Sequence, residues 1–156
     1  MTKPLDREIV LHVAETCLCL HAQRAARALA RLFDNALRPV GLSNGQFSLL
    51  MALNRPEPPS ISALAPFLAM DRTSLTAALK PLERRGLVQI RPDQADRRSR
   101  QVQITGEGVA LLETALPIWR ETHARLDAAL ADGAPGRLRT DLRQVPAQVA
   151  ELARPG

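Results

Sequence analysis

Arg72, Thr73, Ser74 and Thr76 follow directly after Asp71, a residue type that caps helix N-termini. Short hydroxyl side chains at the start of a helix can approach base edges, and an arginine there can reach guanine or phosphate. The helix N-terminus itself adds a partial positive charge that favours phosphate. Lys80 and Arg84 lie further along the same segment, Arg84 better suited to phosphate contact than to base reading, and Asp96, Arg97, Arg98 and Arg100 follow in a polar stretch. Together these residues suit binding to a polyanion.

The charge distribution agrees. The 156-residue chain carries a net charge of +5. Residues 71–100 hold eight basic and four acidic side chains, and the remainder holds 13 basic against 12 acidic. A local basic patch on a nearly neutral body is the electrostatic footprint of a nucleic-acid binder, although a merely solvated charged face has the same composition. Aromatics are scarce, with three Phe, one Trp and no Tyr. Single-strand and RNA binders usually stack bases on aromatic platforms, so duplex DNA read by a helix in a groove fits better.

A second group that could do chemistry is Cys17, Cys19, His21 and Arg24. On a continuous helix Cys17 and His21 share a face, while Cys19 points nearly opposite to Cys17. A direct disulfide would then require unwinding of the helix. His21 and Arg24 are placed to activate the Cys17 thiol, whereas a cysteine used only for packing is the commoner case. Two ligands at helical spacing, even with His12 or His123, do not make a metal site. No metal or other cofactor is expected.

The elements that must position these groups follow from periodicity and punctuation. Residues 5–37 lack Gly and Pro and read as one long helix ending before Pro39. Ser43 caps a helix carrying Phe47, Leu50, Met51 and Leu53, and 56–59 form a stiff proline linker. Ser60 caps a short helix over 61–69, Met70 turns, and Asp71 caps a helix over 72–85 whose Leu75, Leu79 and Leu82 face the core. Pro81 is expected to bend its final turn, and Gly86 closes it as a left-handed cap. Residues 87–91 and 101–105 alternate as half-buried strands around a basic loop. A long helix over 107–131, a turn over 132–136 and a last helix over 137–153 complete the chain, with Pro117 and Pro146 as expected kinks.

The order helix, short helix, turn, capped helix, Gly, strand, basic loop, strand is that of a winged helix-turn-helix, in a mainly α chain with one small hairpin. In it the wing sets Arg97, Arg98 and Arg100 beside a minor groove, where narrow A·T tracts attract arginine. At Leu64-Ala65-Pro66-Phe67-Leu68, Asp71-Arg72-Thr73-Ser74-Leu75-Thr76, Leu82-Glu83-Arg84-Arg85-Gly86-Leu87-Val88, Asp93-Gln94-Ala95-Asp96-Arg97-Arg98 and Ile104-Thr105-Gly106-Glu107-Gly108, the chain resembles the MarR family of regulators. The resemblance implies a helical dimerisation region over 1–40 and 107–156 and a DNA-binding region over 41–106. It implies a minor-groove finger at Arg98, oriented by Asp96. It also implies a homodimer on a pseudo-palindromic operator, and a small aromatic effector between the two regions. Some relatives of this type sense organic peroxides through a first-helix cysteine near the position of Cys19. Their tyrosine partners are absent here, where Gln23 and Phe33 stand instead.

The expected function is that of a cytoplasmic, sequence-specific duplex-DNA-binding regulator. It would act as a repressor released by a small ligand or by thiol oxidation. A thiol enzyme using Cys17 or Cys19 with His21, and a winged-helix protein-interaction module, are the alternatives. The N-terminus lacks the pattern of a signal peptide, no run of eighteen apolar residues occurs, and no membrane partner is expected.

Overall fold

The computed structural model describes residues 4–93 and 99–154. In chain order the described elements are α1 (Arg7–Thr16), α2 (Leu18–Leu37), a 3-10 turn (Arg38–Val40), α3 (Asn44–Leu53), α4 (Ile61–Phe67), α5 (Arg72–Arg84), β1 (Val88–Pro92), β2 (Arg100–Ile104), α6 (Gly106–Ala129) and α7 (Ala134–Leu152).

The expected single helix over 5–37 is two helices. Cys17 takes φ −71° and ψ 102° between α1 and α2. Thr16 is β-branched and Cys17 is a weak helix former, and no core contact compensates, since α1 buries no residue. The break is capped from both sides. The Cys17 Sγ accepts the N–H of Leu20 at 3.4 Å, and the His21 ring donates to the Glu15 carbonyl at 3.0 Å. Cys17 and Cys19 therefore do not oppose each other across one continuous helix, and the objection to a bond between them loses its premise.

The middle of the chain is built on side-chain caps. Ser43 and Gln46 form a reciprocal capping box on α3. Ser60 accepts the Ala63 N–H on α4, Asp71 accepts the Ser74 N–H on α5, and Thr105 accepts the Gly108 N–H on α6. Each satisfies a donor that a helix start would otherwise leave without a partner. Helix α4 ends at Phe67 rather than at 69, because Ala69 turns to φ 51° and redirects the chain into α5. Pro81, Pro117 and Pro146 lie inside α5, α6 and α7, and each helix spans its proline although the prolyl nitrogen donates no helical bond. The last helix starts earlier than expected, at Ala134, with Pro135 in its first turn, where a missing N–H costs no helical bond.

β1 and β2 pair antiparallel with Val88 opposite Ile104, Ile90 opposite Val102 and Pro92 opposite Arg100. The 56–59 linker is more than a spacer: the Pro59 carbonyl accepts the Val102 N–H at 3.0 Å, and Ser60 bridges Gln101. Proline disguised this edge, since a prolyl nitrogen cannot donate to a ladder but its carbonyl still accepts. Gly86 sits at φ 71° in the turn from α5 into β1, a conformation that side chains disfavour.

The core lies between α3, α4, α5, the hairpin and the first half of α6. Leu50, Leu64, Leu75, Leu79, Leu82 and Val102 are fully buried there. By contrast α1 and α7 bury no residue. Ile9, Val10 and Val13 on α1, and Leu138, Leu142, Val145 and Val149 on α7, remain exposed.

Candidate nucleic-acid interface

Helix α5 divides cleanly. Leu75, Leu79 and Leu82 are fully buried, whereas Thr73, Ala77, Lys80 and Arg84, which recur at helical spacing on the opposite side, are all exposed. That outward face begins with short groups and ends with two cations. Arg72, also exposed, opens the helix beside the Asp71 cap. Asp71 accepts the Ser74 N–H at 2.8 Å and the Ser74 hydroxyl at 2.6 Å. These two bonds, the hydroxyl's first, hold its carboxyl below the ordinary value of 3.8. The cap is therefore charged and intact at neutral pH.

The hydroxyls differ in availability. Ser74 is engaged with the cap, and the Thr76 hydroxyl, half-buried, donates to the Arg72 carbonyl at 2.7 Å. Thr73 is exposed with no such tie among the bonds of the described residues. Ala77 carries no polar group, so its residue type alone does not mark it as a contact. Its signal was positional, one helical turn after Thr73, where a methyl can meet a thymine methyl. Arg85, counted in the basic patch, donates to the Gly41 carbonyl at 2.8 Å and so braces the turn before α3.

The hairpin stands beside this face. Arg91 on β1 and Arg100 on β2 are exposed near its distal end. The Asp93 N–H donates to the Ser99 carbonyl at 3.0 Å, and Gln101 donates to the Asp93 carboxyl at 3.1 Å, which ties the base of the loop. Asp96, Arg97 and Arg98 lie outside the described residues.

A cleft of about 390 Å³ opens between α3, α4 and α6. Phe47, Ser48, Met51 and Ala52 line it from α3, Phe67 and Leu68 from the end of α4, and Leu116 and Trp119 from α6. Trp119 stacks on Phe47 with ring centroids 5.9 Å apart. On its other side Trp119 lies 4.3 Å from the His123 ring, which in turn lies 4.6 Å from Phe33 of α2.

Burial between these rings holds His123 below its ordinary value of 6.5. Asp127 one turn on opposes the depression, and Arg139, paired with Asp127 at 2.6 Å, adds to it. The unfolded chain then takes the proton first. Stability is full above about pH 6.5 and falls as the pH drops from there through the lower native value. Urea midpoints taken from about pH 7.5 to about pH 5 are expected to decline in the wild type, and to decline less in His123→Phe. Equal slopes would remove His123 from the cause.

The sequence model of the MarR family matches residues 42–99, the stretch from the α3 cap to the end of the hairpin loop. The solved structure of the transcriptional regulator MOSR of M. tuberculosis in complex with DNA superposes with a TM-score of 0.79. It is 37% identical, with 89% of this chain and 99% of that chain covered. The chain belongs to the MarR family. Among curated MarR-type relatives, it is 36% identical over 88 residues to the transcriptional activatory protein BadR of Rhodopseudomonas palustris, covering 54% of this chain. It is 36% identical over 80 residues to the transcriptional repressor NicR of Pseudomonas putida, covering 51% of this chain. It spans about half the length of these two relatives, 50% and 51%. The α4–turn–α5 unit and the hairpin are thus the helix-turn-helix and wing of a MarR protein. These relatives are transcription regulators. Among the described residues, no helix is long and apolar enough to cross a membrane.

Proposed function

We infer that this MarR protein is a sequence-specific duplex-DNA-binding transcriptional regulator, acting in the cytoplasm as a homodimer. The observation that carries the inference is the exposed α5 face. Thr73 and Ala77 are set to read base edges in a major groove, and Lys80 and Arg84 to hold phosphates on either side. The wing arginines Arg97, Arg98 and Arg100 take the neighbouring minor groove, Arg98 as the inserted finger oriented by Asp96. The 37% identical relative solved in complex with DNA supports this use of the face. The chain works as a binding switch rather than as an enzyme. We assign dimerisation to 1–40 and 107–156 and DNA binding to 41–106.

The dimer has a physical argument of its own. An isolated ten-residue helix is marginal in water, and α1 has ten residues and buries none of them. Something must cover α1 and the apolar face of α7, and a second copy does so by two-fold symmetry. Sedimentation at micromolar concentration should give a dimer, and a stable monomer would contradict this.

Duplex binding followed against salt tests the function. Arg98→Ala is expected to cost about 1–3 kcal/mol of affinity with an unchanged circular dichroism spectrum. Unchanged affinity would mean that the wing does not touch DNA.

Release belongs to the cleft lined by Phe47 and Trp119, where a small molecule sits between the reading unit and α6. A specific observation also favours thiol control: the Cys17 Sγ is itself the cap of α2. Oxidation by peroxide to a sulfenic acid alters that cap at the junction of α1 and α2. Mild peroxide should then release DNA from the wild type and leave the Cys17→Ser, Cys19→Ser double variant bound. Release from both would exclude the thiols.

A further inference from the structure

The C-terminal end of α5 is held at two consecutive residues. The Arg85 Nη1 donates to the Gly41 carbonyl at 2.8 Å, across 44 residues of sequence. The Gly86 carbonyl accepts the Thr105 hydroxyl at 2.7 Å. Gly41 belongs to the exit of α2: its N–H donates to the Arg38 carbonyl at 2.9 Å, and the Asn44 N–H donates to the Asp34 carboxylate at 2.7 Å. Thr105 is the N-cap of α6. One end of α5 is therefore tied to both α2 and α6, the helices assigned above to dimerisation.

The reading end has no such tie. Among the hydrogen bonds of the described residues, none joins Arg72, Thr73, Thr76 or Lys80 to α2 or α6. Leu75, Leu79 and Leu82 lock α5 into the core of the reading unit, so a rotation at 85–86 carries the unit with it. At about 1.5 Å per residue, Thr73 stands roughly 18 Å from Arg85 along the helix. A turn of about 10° at that pivot moves Thr73 by about 3 Å, close to the rise of one base pair, about 3.4 Å. A bond at the pivot thus decides which base pair the reading end meets.

We propose that Arg85 is a positioning residue for operator recognition. Its bond to Gly41 fixes the angle of α5 against α2, and so sets the half-site spacing that the dimer accepts. The proposal rests on the reading of the chain as a dimeric DNA-binding regulator and adds what determines its spacing.

Arg85→Met keeps the length of the side chain and removes its donors. Kd is measured on duplexes whose half-sites are moved together or apart by one and two base pairs. The wild type is expected to lose at least about ten-fold per base pair moved, and Arg85→Met only about two- to three-fold. The adjacent Arg84→Met should weaken all spacings alike and flatten the salt slope by about one unit, with the wild-type spacing profile retained. An unchanged profile in Arg85→Met would overturn the proposal, making Arg85 a phosphate contact if its salt slope flattens and a purely structural bond if Tm alone falls. Spin labels on Thr73→Cys, in a Cys17→Ser, Cys19→Ser background, read the same property without DNA. The distance across the dimer should be narrowly distributed with Arg85 in place and broaden in Arg85→Met; equal widths would overturn the proposal. Widths that differ in this way, in a protein that selects no duplex, would uphold the positioning role and sink the DNA-binding reading instead.

Discussion

Lys80→Glu together with Arg84→Glu is expected to weaken duplex binding at least about a hundred-fold at moderate salt. Each lost phosphate or base contact costs about 1–3 kcal/mol, and the new carboxylates repel the same phosphates. Both side chains are exposed on α5 and neither supports the core, so the fold should be unaffected. The slope of log affinity against log salt should flatten by about two units if both cations meet phosphate. Thr73→Ala and Ala77→Ser should behave differently, shifting which sequences are preferred while leaving the salt slope intact. Anisotropy titrations over a salt series, with selection from randomised duplexes, separate the two classes. Retained affinity in the double glutamate variant would remove α5 from the interface.

Gly108→Ala should have the largest effect on stability. A Cβ there would stand 2.3 Å from the Leu87 carbonyl oxygen and 2.7 Å from the Ile104 side chain at the end of β2. The carbonyl cannot turn aside cheaply, because it accepts the Thr105 N–H at 3.0 Å in the joint between hairpin and α6. Thr105 completes that joint by donating its hydroxyl to the Gly86 carbonyl at 2.7 Å. Overpacking against fixed backbone is expected to cost about 3 kcal/mol, a fall in Tm of roughly 6–12 °C. The wing should shift with it, so DNA affinity falls beyond what unfolding explains. Gly106→Ala is the internal control: nothing lies within 4 Å of its added Cβ, and it should be neutral or slightly stabilising. Calorimetry of the two variants side by side decides, and equal Tm values would show that the close approach is not a constraint.

What could be read from the sequence was what local chemistry dictates. Ser43, Ser60, Asp71 and Gly86 each marked a helix end where the structure has one, because a cap or a left-handed turn is a property of one or two residues. The leucine spacing of α5 gave its buried side directly. The break at Cys17 escaped because it depends on what is missing: α1 has no core beneath it, and a continuous apolar pattern does not reveal that. The Pro59 carbonyl bond to Val102 escaped because it joins segments far apart in sequence. On the interface, residue types singled out Ser74 and Thr76 alongside Thr73, and only geometry separates hydroxyls engaged in local bonds from the exposed one. The gathering of the aromatics was invisible for the same reason. Their scarcity was plain, but their meeting place is set by the packing of α3, α4 and α6.

Selection of duplexes by the full-length protein, followed by the stoichiometry of the selected complex, tests dimeric operator binding directly. A pseudo-palindrome with half-sites about one helical turn apart is expected, bound by one dimer, with affinity falling steeply as salt rises. Recovery of no enriched sequence, or of a single half-site bound by a monomer, would contradict it.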